Sequence, residues 1–206
     1  MQYPDYILDP INEFKPYNGF RFKPSVAYFL NQISGVEIEL IENCTIYSRS
    51  LFRFLPWYSA QKGGGAITLG GRAHQSITFT ENFFSTDIDD YPHSAYSNVM
   101  NTWLRMAAHE VGHLTHAFRY RWLFIYLLVF AYQYLRYGHD DAPLEIEANF
   151  GSDNFGQFLS FLRREGQVDS FEEIFRSTMP EKEKVTQLEE ILLKFHSKNS
   201  NVDPVV

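Results

Sequence analysis

The stretch Trp103-Leu104-Arg105-Met106-Ala107-Ala108-His109-Glu110-Val111-Gly112-His113-Leu114-Thr115-His116-Ala117-Phe118 decides how this chain is read. Leu104, Ala107, Ala108, Val111, Leu114 and Phe118 recur at helical spacing, so the segment predicts an amphipathic helix. Two histidines four positions apart then lie one above the other on one face. Their ring nitrogens can grip one Zn²⁺ at about 2.0–2.1 Å. Glu110 falls about 100° around the helix from His109, on the flank of the metal position rather than at it. A carboxylate there suits proton transfer, from water acidified by the metal and onward to a leaving amine. Gly112 costs about 1 kcal/mol relative to Ala inside a helix, and close approach by a neighbouring backbone gives that cost a reason. The pattern His-Glu-x-x-His therefore points to hydrolysis of a peptide bond, with His109 and His113 as metal ligands and Glu110 as the catalytic acid–base.

Composition sets the bounds around that helix. The 206 residues, 45% of them apolar and 17% aromatic, can bury a core without disulfides. A net charge of −7 with no basic stripe excludes a nucleic-acid binder. Cys44 stands alone, which rules out an internal disulfide and a cysteine-based zinc site; it reads as a small buried apolar residue. The start, Met1 to Tyr6, has neither a basic n-region nor an apolar h-region, so no secretory signal is expected. That leaves a cytoplasmic location or export by a signal-independent route. The run from Trp122 to Leu135 is apolar but has 14 residues, against about 20 needed to span a bilayer. Arg119, Arg121 and Arg136 bracket it and Gln133 interrupts it. It is expected to be a helix buried on most sides, not a membrane span.

The chain divides into three stretches of one domain. Residues 1–34, rich in aromatics and broken by Pro4, Pro10, Pro16 and Pro24, are expected to wrap the surface, with a short helix over Ser25–Ile33. Residues 35–165 form the core. Val36-Glu37-Ile38-Glu39-Leu40-Ile41 alternates and predicts a strand, with Thr45-Ile46-Tyr47, Ala66-Ile67-Thr68-Leu69 and Gln75–Thr80 as further strands of a small antiparallel sheet. Gly63-Gly64-Gly65 reads as a loop. Ser94, Ser97 and Asn98 are candidate N-caps for the motif helix. Gly138 breaks the chain, and Pro143 suits the first turn of a new helix. Residues 166–206 hold helices over Ser170–Thr178 and Glu181–Lys198, then a loose tail after Asn199. The expected class is α+β, a small sheet beside a mainly helical, zincin-like core.

Two histidines leave a catalytic zinc short of three protein ligands. His116, His139, Asp140, Asp141, Glu145, Glu147 and Asp153 follow the motif. His116 lies a turn beyond the second histidine and cannot close a triad on the same ion. The segment Pro143-Leu144-Glu145-Ile146-Glu147-Ala148-Asn149 resembles the second motif of gluzincin metallopeptidases, in which a Glu on a later helix is the third ligand and an Asp one turn on orients the first histidine. The resemblance implies Glu145 as the ligand, with Glu147 as the alternative, and puts Ala148 at a small packing position. Asn149 stands where the family has Asp, so an uncharged amide would hold the imidazole. Upstream, Gly65–Gly70 and Ile77–Phe79 followed by the motif helix resemble the predicted metallopeptidase domain found with extracellular contractile injection systems, which implies a secretion-system assembly as a partner.

Geometry constrains the Glu145 reading. A single straight helix from His113 to Tyr137 would run about 36 Å. The step from Tyr137 back to Glu145 covers at most about 27–29 Å. If Glu145 is a ligand, the chain must turn between Ala117 and Phe124, near Arg119-Tyr120-Arg121. Tyr120, Tyr134, Tyr137, His116 and His139 are on hand as oxyanion donors, with nothing to single one out. The expected function is a zinc-dependent peptidase acting on a peptide or protein; the alternative is a zinc-containing binding or effector module without catalysis.

Overall fold

Turn formers and caps cut the chain into its elements. The computed structural model describes residues 4–12, 19–48, 65–79 and 99–199. The cap candidates Ser94, Ser97 and Asn98, Gly63, Gly64, Thr80 and the tail after Asn199 lie outside the described residues. In chain order the elements are β1 (Leu8–Pro10), β2 (Phe20–Phe22), α1 (Pro24–Ser34), α2 (Ile38–Asn43), β3 (Thr45–Ser48), β4 (Ala66–Gly71), β5 (His74–Phe79), α3 (Val99–Arg119), α4 (Leu123–Tyr137), α5 (Pro143–Glu165), α6 (Val168–Arg176) and α7 (Glu181–Asn199). The fold is α+β.

The sheet is mixed rather than antiparallel. Its order is β1-β2-β3-β5-β4, with β3 and β5 parallel and the other neighbours antiparallel. β4 and β5 form a hairpin. Its second strand carries the buried Ile77 and Phe79 and takes the inner seat beside β3, which leaves β4 at the edge.

The described part of the N-terminal segment joins the sheet and the core. β1 and β2 open the sheet, and α1 lies in the core. Pro24 presets the first turn of α1, Gly35 ends it at φ 70°, and Val26, Ala27, Phe29, Leu30 and Ile33 are buried. Phe29 meets the rings of Phe155, Phe158, Phe171 and Phe175 at centroid distances of 6.0, 5.4, 5.2 and 6.0 Å. This tilted and edge-on cluster of five phenylalanines joins α1 to α5 and α6. Cys44 is fully buried, and burial pushes its thiol up to about 12.

The alternation at Val36–Ile41 does not make a strand. The end of α1 uses this backbone: Asn31 Nδ2 donates to the Val36 carbonyl at 2.7 Å, and the Val36 N–H donates to Ser34 Oγ at 3.2 Å. The chain then enters the short α2, in which only Ile41 is buried. A six-residue pattern holds too few residues to separate a period of 2 from one of 3.6.

The motif helix α3 ends at Arg119, and Arg121 adopts φ 59°. The chain reverses there, as the reach argument requires, and α4 starts at Leu123. Arg72 N–H of the β4–β5 turn donates to the Arg121 carbonyl at 3.0 Å and pins the bend. Gln133 of α4 accepts from the Leu144 N–H at 3.0 Å, satisfying one of the open donors in the first turn of α5. α4 is not buried on most sides: Tyr126 is its only buried residue. Phe124, Leu128 and Leu135 are among its exposed apolar residues.

Candidate metal centre

α3 and α5 cross where their side chains are smallest. A Cβ on Gly112 would stand 2.8 Å from Ala148 Cα, and a Cβ on Gly151 would run into the Ala108 carbonyl. Two helices that touch at backbone distance bring residues one turn away into contact. Glu145, in the first turn of α5, thereby faces His109 and His113 on α3.

The three side chains converge on one point. His109 Nε2 and His113 Nε2 are 3.3 Å apart, and Glu145 Oε2 is 3.3 Å from the first and 3.5 Å from the second. Ligands bound at about 2.0–2.1 Å around a tetrahedral ion stand about 3.3–3.4 Å from one another, so the triangle is of a size to admit a divalent ion such as Zn²⁺. The electron pairs agree. His109 Nδ1 donates to Asn149 Oδ1 at 3.0 Å, which leaves Nε2 unprotonated in the neutral ring. Among the described residues, buried Glu145 Oε2 has no hydrogen-bond partner other than these two imidazoles. Electron-rich atoms facing each other in a buried site repel unless a cation or a proton sits between them. The residues present fit a divalent ion.

Charge at these groups follows from the same contacts. Burial raises the Glu145 carboxyl, but the two imidazoles outweigh it and hold the group far below the usual carboxylate range. Burial lowers the His109 imidazole, and Glu145 and Glu110 outweigh that and hold it above its ordinary value.

Glu110 lies beside the triangle and is 4% exposed. Thr68 of β4 reaches it: Thr68 Oγ1 is 2.8 Å from Glu110 Oε2 and 2.9 Å from the Glu110 carbonyl oxygen, and its single proton serves one of them at a time. Gln75 of β5 donates to the Leu114 carbonyl at 3.1 Å. The hairpin therefore grips the motif helix and fixes its rotation.

A second line stands behind His113. His113 Nδ1 and His116 Nδ1 are 3.3 Å apart, and His116 Nε2 donates to Glu147 Oε2 at 2.9 Å. Arg119 donates to the same oxygen at 3.1 Å. With Nε2 as its donor, His116 presents Nδ1 as an acceptor, and His113 Nδ1–H points to it. His113 Nε2 then offers its lone pair to the centre. His116 is 2% exposed; burial, reinforced by His113, lowers it to about 4, so it is uncharged at neutral pH.

The triangle sits at the base of a cleft of about 420 Å³ between β4, α3, α4 and the first turn of α5. Thr68, Tyr126, Phe130, Tyr134 and His139 are among its lining residues. His139 is at the exposed rim, with Nε2 3.8 Å from Glu145 Oε1. Glu147 serves His116 and Arg119 and is not among the three converging groups, while Asp140, Asp141 and Asp153 are exposed. Tyr120 stacks on Tyr126, and Tyr137 is exposed. Sequence reasoning missed Tyr126, whose phenol burial pushes up and keeps neutral. It also missed Thr68 and the part played by His116. No local signal marks the first two; His116 was visible as a third histidine on the same helix face. No family model, curated protein or solved structure matches the chain.

Proposed function

We propose that the protein is a zinc-dependent peptidase in which His109, His113 and Glu145 hold the ion and Glu110 moves the proton. The observation that carries this reading is the near-equilateral triangle of two imidazole nitrogens and a buried carboxylate oxygen, with a second buried carboxylate at its side. Bound Zn²⁺ supplies Lewis acidity, making water nucleophilic at neutral pH and polarising a carbonyl. The chain's own residues do the rest. Glu110 accepts a proton from water and delivers it to the departing nitrogen. The Thr68 hydroxyl holds the Glu110 carboxylate in place for both transfers. Asn149 and the His116–Glu147 pair fix the ring orientations of the two histidine ligands. Tyr126 and Phe130 keep the wall of the cleft apolar, which strengthens each charge interaction inside it.

A peptide suits the cleft because of β4. This strand pairs only with β5 among the described residues, and Ala66, Ile67 and Thr68 line the cleft. A free edge offers backbone donors and acceptors to an extended chain.

The test combines metal analysis with a peptide-library cleavage assay, with and without chelator. Glu110→Gln is expected to keep one equivalent of zinc and to lose at least about 100-fold in rate. Cleavage by Glu110→Gln at the wild-type rate overturns the proton-transfer role. Zinc bound without cleavage by the wild type assigns the site to a binding module.

A further inference from the structure

We infer that the outer face of α4 docks on the surface of an anionic lipid bilayer. This rests on α4 alone and not on the hydrolytic reading. Tyr126, Val129, Phe130 and Gln133 form the packed side of the helix. At 100° per residue, the opposite side carries Phe124, Leu128 and Leu135, which are 67%, 51% and 86% exposed; Trp122, at the head of the helix, is 64% exposed. A helix apolar all round is ordinarily enclosed, and a large open apolar stripe marks a contact surface.

Length and charge identify the occupant. The 15 residues of α4 extend about 22 Å, short of the roughly 30 Å of a hydrocarbon core. No helix among the described residues is long and apolar enough to cross a membrane. The helix is suited to lie in the interface instead. From Val111 to His139 there is no Asp or Glu, while Arg119, Arg121 and Arg136 are present; the exposed Asp140 and Asp141 follow beyond the end of the helix. Arg119 is engaged with Glu147. Arg121 and Arg136 stand at the two ends of the exposed face, over aromatic rings: Arg121 is 5.7 Å from the Trp122 ring and Arg136 is 5.4 Å from the Tyr137 ring. Arg136 also donates to Tyr132 Oη at 2.8 Å. Apolar side chains between arginine–aromatic pairs match acyl chains flanked by anionic headgroups. A second copy fits poorly. Antiparallel pairing sets Arg121 against Arg136, and parallel pairing sets each against itself.

Leu135 and Ala131 belong both to this face and to the cleft wall. Docking therefore brings the mouth of the cleft to the level of the headgroups, within reach of polypeptide at a membrane surface.

Co-sedimentation of the full chain with vesicles tests this, using phosphatidylcholine alone and phosphatidylcholine with phosphatidylglycerol, at low and high salt. The wild type is expected to pellet with the anionic vesicles and to be released by salt. Phe124→Ser with Leu128→Ser should lower partitioning at least tenfold while leaving Tm and the circular dichroism spectrum unchanged, since both side chains are exposed. Arg121→Ala and Arg136→Ala should each lower it about fivefold at low salt. A blue shift of tryptophan fluorescence on vesicle addition should vanish in Trp122→Phe. Folded wild type that stays in the supernatant with anionic vesicles overturns the proposal, as does unchanged partitioning of the Phe124/Leu128 variant. A dimer seen by light scattering that the same variant abolishes, without vesicle binding, assigns the face to a second copy.

Discussion

Asn149 and His116 hold the two imidazoles by different means. Asn149 accepts from His109 with a neutral amide 3.0 Å away. His116 accepts from His113 and passes the hydrogen bond to a carboxylate. Asn149→Ala should weaken zinc binding about 10–100-fold, the usual cost of losing such a partner, whereas Asn149→Asp should tighten it by adding a charged acceptor. Competition against a chromophoric chelator measures both. His116 also gives a pH dependence. Its value falls from 6.5 to about 4 on folding. Below 6.5 the unfolded chain takes up a proton here that the folded chain refuses, so acid favours unfolding. The metal-free wild type should therefore lose stability relative to His116→Gln between pH 6.5 and about 4, on the order of 3 kcal/mol in all; denaturant titrations at several pH values read it directly. At this scale the sequence was informative where partners are near in the chain. His109, Glu110 and His113 share a helix turn, and Glu145 and Asn149 share another. Thr68 was invisible because its partner lies 42 residues away, and Tyr126 because it is one aromatic residue among many in an apolar run.

The crossing of α3 and α5 is the element on which the triangle depends. A methyl at Gly112 meets backbone, not a side-chain end that could move aside. Gly112→Ala gains about 1 kcal/mol in helix propensity, but overpacking costs about 1–3 kcal/mol. The net is a loss of about 0–2 kcal/mol in global stability, while the forced separation of the helices moves Glu145 away from the imidazoles. The expected result is a fall in Tm of no more than about 8 °C with a loss of zinc affinity of at least about tenfold, since a misplaced ligand forfeits much of its coordination energy. Calorimetry and metal titration on one preparation separate the two effects. Periodicity located α3, and a reach argument located the turn after it, because both depend on local geometry. Periodicity failed at α2, where six residues carry too little pattern. It failed in another way at α4: an apolar run announces that its side chains avoid water, not what covers them.

Across the whole molecule, the α+β class was legible because the strand patterns of β4 and β5 precede an unbroken run of helical patterns from α3 to α7. The parallel pairing of β3 with β5 was not, since strand order is decided by which hairpin strand carries the larger buried side chains. Burial of α1 was hidden for a similar reason: its apolar face is filled by phenylalanines more than 120 residues away. The same long-range closure links the metal to the fold. The three converging groups come from α3 and α5, which are adjacent only in the folded chain, so under the proposed function a bound zinc ion would favour the native state by mass action. At free zinc about 1,000 times the dissociation constant this amounts to about 4 kcal/mol, or about 8–16 °C in Tm for a chain of this size. Stripping the ion with chelator should lower Tm by that amount in the wild type and leave Tm unchanged in a His109→Ala, His113→Ala double variant. Protons compete for the same place. His109 is held above 6.5 in the metal-free site, so near pH 6.5 most molecules must release a proton before the ion can enter. Zinc affinity should therefore fall as pH falls through this range. Calorimetric titrations in buffers of different ionisation enthalpy should register between half a proton and one proton released per ion, about the amount a group titrating above the working pH must give up. Release of no proton would mean that His109 was already neutral and that the carboxylates beside it do not hold its charge.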